Sequence, residues 1–132
     1  MTRARRAATT SSPSAGDDCL RRVAESLQSH LHRAGDIVTR YGGEEFAVLV
    51  AGVERDRAAD LGELLRRSIE SLRIEHRSSP ACEVVTISVG VATMIPDRDR
   101  DPAALLKAAD EALYAAKAAG RNRVSVHVPA EP

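Results

Sequence analysis

At 132 residues the chain has the length of one domain, enough for a core that buries roughly two thirds of the unfolded surface. Apolar residues at 43% and charged residues at 29% exclude a disordered chain, and 19 basic against 19 acidic side chains exclude a general polyanion binder. Aromatics at 2% leave no stacking platform for single strands, so neither DNA nor RNA is an expected partner and any phosphate site must be local.

Residues 1–16 stand apart from the rest of the chain. They carry Arg3, Arg5 and Arg6, no acid, and a small polar run with Pro13 and Gly16. The run lacks the apolar centre of a signal peptide. The sequence therefore predicts a disordered leader outside the domain, a domain over 17–128, and a short tail over 129–132.

From Asp17 the period becomes helical. Leu20, Val23, Ala24, Leu27 and Leu31 form one stripe, with Asp17 or Asp18 as the N-cap and a stop before Gly35. Ile37 to Tyr41 and Phe46 to Val50 read as strands of an antiparallel hairpin about Gly42-Gly43. A second helix is expected from about Asp56 to Leu72, with Ala58, Leu61, Leu65, Ile69 and Leu72 inward. Ser78 to Pro80 is a loop, and Val84 to Ala92 alternates as a strand. Asp101 caps a third helix with Pro102 at its first position and Gly120 at its end. Val124, Val126 and Val128 close with a last strand. The order predicts an α+β fold, helices packed on a mainly antiparallel sheet.

Cys19 and Cys82 show no CxxC spacing, so reduced thiols and a cytoplasmic location are expected rather than zinc or a disulfide. No apolar run approaches the roughly 20 residues of a membrane span.

The chemistry gathers at the hairpin. Gly42-Gly43 is followed at once by Glu44 and Glu45. Glycine lets a ligand approach the backbone, and adjacent carboxylates suit Mg²⁺ shared with nucleotide phosphates. Solvated glutamates at a turn are the plain alternative.

Four segments decide between these. RYGGEEFAVLV resembles the signature of the GGDEF family, the diguanylate cyclases, with Glu in its third position. GDDCLRRVAESL, VTISVGVA and ADEALYAAKAAGRNRV resemble three further stretches of that family in the same order, and the resemblance spans Gly16 to Val128. It implies a nucleotide-cyclase or palm-like fold with a ferredoxin-like core. It implies condensation of two GTP into cyclic di-GMP and two pyrophosphates, in a homodimer, with Mg²⁺ or Mn²⁺.

By position, the resemblance makes Glu44 the metal ligand and Glu45 the group at the reacting 3′-hydroxyl. Gly42 and Gly43 would lie against GTP, Asp17 would hold the guanine edge, and Lys117 and Arg121 would reach the triphosphate. The last two are four apart and are expected to share a face across the end of the helix. Charge at a helix C-terminus is the alternative for them, and an N-cap the alternative for Asp17. Asp110 and Tyr114 are expected to be structural.

Arg33 and Asp36 match the family's inhibitory RxxD site, which binds the product. An Arg fork suits guanine or phosphate; an exposed helix end with Arg33 paired to Asp36 is the alternative.

One family segment has no counterpart. The resemblance implies a first strand carrying a metal aspartate, then a first helix, and only Gly16-Asp17 matches the end of that segment. Two interior strand edges would then be unpaired, at about 1–3 kcal/mol for each buried unsatisfied group. Three readings are open: a cyclase of little or no activity, a cyclic di-GMP receptor acting through Arg33 and Asp36, or a structural remnant.

Overall fold

The computed structural model describes residues 5–11, by backbone, together with 17–75 and 84–128. Eight elements run in chain order. They are β1 (Arg5–Ser11), α1 (Asp17–Ser29), β2 (Ile37–Gly42), β3 (Glu45–Ala51), α2 (Arg55–Ser71), β4 (Ser88–Met94), α3 (Pro102–Ala118) and β5 (Val124–Val126). The sheet order is β2-β3-β1-β4-β5. All pairings are antiparallel except β4 with β5. The expected class, helices on a mainly antiparallel sheet, is what the chain forms.

The leader departs from expectation. Residues 5–11, assigned by the sequence to a disordered tail, form the central strand. Arg5–Ser11 pairs along its whole length with β3 on one side and β4 on the other, Ala8 standing opposite both Val48 and Val91. The position expected to be empty is filled. The physical reason is the unpaired backbone edge itself: N–H and C=O groups of two interior strands accept any segment that can extend beside them. Pairing of this kind asks little of the side chains. The remaining leader residues, the C-terminal tail, the loop at Ser78 to Pro80 and Cys82 lie outside the described residues.

The helices sit on opposite faces. Phe46, Val48 and Val50 of β3 and Val89 and Val91 of β4 pack with Leu20, Val23 and Leu27 of α1 and with Leu65 and Ile69 of α2. On the other face Ala92 packs with Leu105 and Ala109 of α3. Gly90 explains how closely α3 lies: a Cβ there would overlap the backbone of Ala109 and Leu113, with the Leu113 Cα only 2.7 Å away. Burial on both faces is why β4 is buried at successive residues from Ser88 to Ala92.

Caps fall where residue chemistry places them. Asp101 accepts from Ala103 N–H at 2.9 Å, with Pro102 at the first position of α3. Asp17 lies inside the first turn of α1, beside Asp18. β4 begins later than the alternation suggested, at Ser88. Val85 and Ile87 are buried ahead of it, Val85 N–H bonding to Ile74 C=O at 2.7 Å. At the end of the chain Val128 is 68% exposed and lies beyond β5.

Candidate active site

The β2–β3 hairpin turns on Gly43 and Glu44 rather than on the two glycines. Gly42 ends β2 and pairs with Glu45 across a register shift, while Gly43 takes φ +53°. A two-residue turn requires positive φ at its first position, which glycine adopts without strain. Arg40 Nε donates to Gly43 C=O at 2.8 Å and braces the turn from within.

The two signature carboxylates diverge from this turn. Glu45 shares the row of Ala47 and Leu49 on the α3 side, and its Oε1 lies 3.5 Å from Lys117 Nζ in the last turn of α3. Glu44 acts toward α1: burial pushes the Cys19 thiol up, Arg22 opposes that, and the Glu44 charge adds to it. The hairpin tip thus joins the N-terminal end of α1 to the C-terminal end of α3.

Beside the tip lies an open cleft of about 530 Å³, lined by Asp17, Leu20, Arg21, Ala24, Gln28, Val38, Arg40 and Phe46. The α1 residues recur at helical spacing and form one row. Arg40 stands opposite Phe46, with Val38 two residues back on the same face. Apolar walls with a carboxylate and guanidinium groups at the rim suit a flat heterocycle with a polar edge. Of these residues, sequence reasoning named only Asp17 as a site residue. The signal for the rest is periodicity: i, i+3, i+4 along α1 from Asp17, and i, i+2 along β2.

Arg121 lies beyond the end of the helix that carries Lys117. α3 ends at Ala118, and the next residues leave helical geometry, Gly120 at φ +124°, Arg121 at +64° and Asn122 at +45°. Helical periodicity therefore does not set the direction of Arg121. Its N–H bonds to Ala116 C=O at 3.0 Å, so the turn is still tied to the helix.

Arg33 and Asp36 meet, in an unexpected way. The Asp36 Oδ2 accepts from the Arg33 backbone N–H at 3.2 Å, while the Arg33 guanidinium donates to Ala51 C=O at 3.3 Å. The RxxD loop is folded onto the end of β3, with Arg33 still exposed.

For a divalent ion the hard carboxylate oxygens of Glu44 are suitable donors, while Glu45 is turned to Lys117. Among the described residues no group of three or more His, Cys, Asp or Glu side chains could hold a metal. The donor set fits an ion that brings phosphate oxygens with it rather than an all-protein cage. Among the described residues no helix is long and apolar enough to cross a membrane.

Comparison with known proteins bears on the family and the fold. The family model described as "Diguanylate cyclase, GGDEF domain" matches residues 13–123. The response regulator PleD of Caulobacter vibrioides (strain NA1000 / CB15N) is 40% identical over 109 residues, covering 83% of this chain and 24% of its own length. The diguanylate cyclase VdcA of Vibrio cholerae is 41% identical over 110 residues, covering 83% and 32%. The chain thus spans about a quarter to a third of these relatives. Among solved structures, the GGDEF domain of DgcB from Caulobacter crescentus in complex with c-di-GMP matches at TM-score 0.80 and 26% identity, over 95% of this chain and 78% of that one. The active GGEEF domain of a Vibrio cholerae diguanylate cyclase matches at 0.77 and 25%, over 96% and 85%. By the family match over most of its length and by its fold, the chain belongs to the GGDEF family, the diguanylate cyclase domains.

Proposed function

We propose that the chain is a folded GTP-binding diguanylate cyclase domain whose turnover is weak. One observation carries this. The first strand takes its place at the centre of the sheet and ends with Ser11 opposite Glu45, yet its sequence, RRAATTS, contains no carboxylate. The scaffold is kept while the second metal-binding acid that the family resemblance implies is lacking.

In this reading guanine enters the cleft, with the Asp17 carboxylate accepting from its N–H edge and Leu20, Val38 and Phe46 against its faces. The backbone at Gly42 and Gly43 admits the nucleotide closely. Lys117 and Arg121 take the triphosphate, so Lys117 exchanges Glu45 for phosphate oxygen when GTP binds. Glu45, released, accepts the proton of the 3′-hydroxyl as that oxygen attacks the α-phosphorus of a second GTP and pyrophosphate leaves. A second such attack closes the ring, which requires two GTP-loaded domains face to face as a homodimer. Mg²⁺ or Mn²⁺, held by Glu44 and the phosphates, would neutralise charge on the transferring group. With Glu44 alone and no acid from β1, fixing of the in-line geometry is poor and the rate falls.

The test is product formation by the purified chain with GTP and Mg²⁺. Tight GTP binding with little or no cyclic di-GMP supports the proposal. Turnover like that of an intact cyclase contradicts it.

A second reading is a cyclic di-GMP receptor acting through Arg33 and Asp36. It is favoured by the exposed guanidinium, held at the end of β3 by its bond to Ala51 C=O. A solved neighbour, the DgcB GGDEF domain, is described in complex with c-di-GMP. Arg33→Ala should abolish cyclic di-GMP binding and leave GTP binding intact; unchanged cyclic di-GMP binding removes this reading.

A further inference from the structure

The turn that carries Arg121 is held by a polar cluster that belongs to no part of the cleft. Arg66, on α2, donates from Nη1 to Asn122 Oδ1 at 2.9 Å. Asn122 Nδ2 donates in turn to Glu70 Oε2 at 2.6 Å. The same guanidinium meets Glu63 through Nε at 3.1 Å and 3.2 Å and through Nη2, and its Nη1 lies 3.6 Å from Glu70 Oε1. The Arg66 side chain is only 14% exposed, so its donors are committed to these three residues. Surface ion pairs along a helix do not ordinarily reach 56 residues onward to an asparagine in a loop, as this one does.

The backbone it grips is strained. Arg121 at φ +64° and Asn122 at φ +45° are consecutive residues in the left-handed region. Asparagine visits that region readily; arginine does not. Such a conformation persists only where its surroundings over-determine it. Four constraints act among the described residues: Arg121 N–H on Ala116 C=O at 3.0 Å, Arg123 Nε on Arg121 C=O at 3.0 Å, Val89 N–H on Arg123 C=O at 2.9 Å, and the Arg66–Asn122–Glu70 cluster. The first three hold backbone groups of the turn and its flank. The cluster grips the turn through the side chain of a left-handed residue, Asn122.

We infer that Arg66, with Glu63 and Glu70, is a positioning residue that acts through Asn122 to aim Arg121 at the nucleotide phosphates. The role is thus carried by α2, a helix that contributes no residue to the cleft. This rests on the proposed phosphate role of Arg121, and the test separates the two.

The full chain is titrated with GTP and Mg²⁺ as Arg66→Met, as Asn122→Gly, as Arg121→Met and as the Arg66→Met/Arg121→Met double variant. Asn122→Gly keeps the permissive backbone while removing the amide, and serves if Arg66→Met does not fold. The three-bond HN–Hα coupling of Arg121 is read by NMR on the same samples. The expected result is a roughly tenfold weaker GTP affinity in Arg66→Met and Asn122→Gly, a shifted Arg121 coupling, and no further loss on adding Arg66→Met to Arg121→Met. If Arg121→Met weakens GTP binding while Arg66→Met and Asn122→Gly bind like wild type, the inference is overturned. If Arg121→Met itself binds like wild type, the phosphate role fails. An unchanged Arg121 coupling in Arg66→Met then overturns the positioning as well, and a shifted one sustains it.

Discussion

Lys117 Nζ lies 3.5 Å from Glu45 Oε1, bringing the last turn of α3 onto the residue just after the hairpin turn. The Lys117 side chain is 26% exposed and that of Glu45 36%, so water screens the pair and its contribution to stability is only about 0.2–1 kcal/mol. The pair matters as a resting arrangement of two charges that the nucleotide would separate. Lys117→Met is expected to leave the thermal midpoint nearly unchanged while GTP affinity falls roughly tenfold or more, the scale of one charge-assisted hydrogen bond. Equilibrium titration and a melt on the same sample check both halves.

Gly90 and Gly42 predict opposite outcomes for the same substitution. A Cβ on Gly90 would overlap the α3 backbone at Ala109 and Leu113, neither of which can yield without moving the helix, whereas one on Gly42 meets nothing within 4 Å. Gly90→Ala should destabilise by about 3 kcal/mol or more. Gly42→Ala should change stability by under about 1 kcal/mol while hindering nucleotide approach. Urea titrations of the two variants give the comparison.

The three helices are legible in the sequence because each buries one stripe: Ala58, Leu65 and Ile69 of α2 are buried as their spacing requires. The hairpin and the Asp101-Pro102 start of α3 are legible because turn and cap chemistry are local. β1 is not, because its place in the sheet is a backbone matter: RRAATTS has no apolar alternation, and its partners lie 34 to 89 residues away in the chain. At the site, both Glu45 and Lys117 can be named from the sequence, but nothing in it announces that they pair. The direction of Arg121 is not legible by extending the helical period past Ala118, where left-handed residues end it. The Arg40 and Phe46 wall of the cleft depends on cross-strand register, which no single segment reveals.

The central position of β1 predicts its exchange behaviour. Backbone amides within Ala7 to Thr10 should be protected from hydrogen exchange as strongly as those of Val48 and Val91, the strands on either side. Ala8→Pro should destabilise by about 3 kcal/mol or more, because an interior strand cannot lose an N–H on a paired edge. Fast exchange across residues 5–11 beside protected β3 and β4 contradicts this placement.

Glu63 gives a pH signature. The hydrogen bond from Arg66 holds its carboxyl below the usual carboxylate range, against a smaller opposing effect of burial. A lowered value in the folded state means the stabilisation is complete above the unfolded value, about 4.3, and is lost as pH falls through the folded one. The stability gap between wild type and Glu63→Gln should therefore be constant near neutrality and shrink on acidification below about pH 4.3. Urea midpoints of the two proteins across pH 2.5 to 7 (roughly the span of that titration) supply the curve, and a gap that does not narrow contradicts it.

The functional reading stands or falls on whether this sheet, with its acid-free central strand, still forms a GTP site. The most direct measurement is a far-UV circular dichroism melt with and without GTP and Mg²⁺. At one hundred times its dissociation constant a ligand stabilises the native state by about 2.7 kcal/mol, a rise of several degrees for a domain of this size. A cooperative melt that rises with GTP, and does not rise with GTP in Asp17→Ala, is the predicted result. A cooperative melt that GTP leaves unmoved would show a folded scaffold without the site and contradict the central claim.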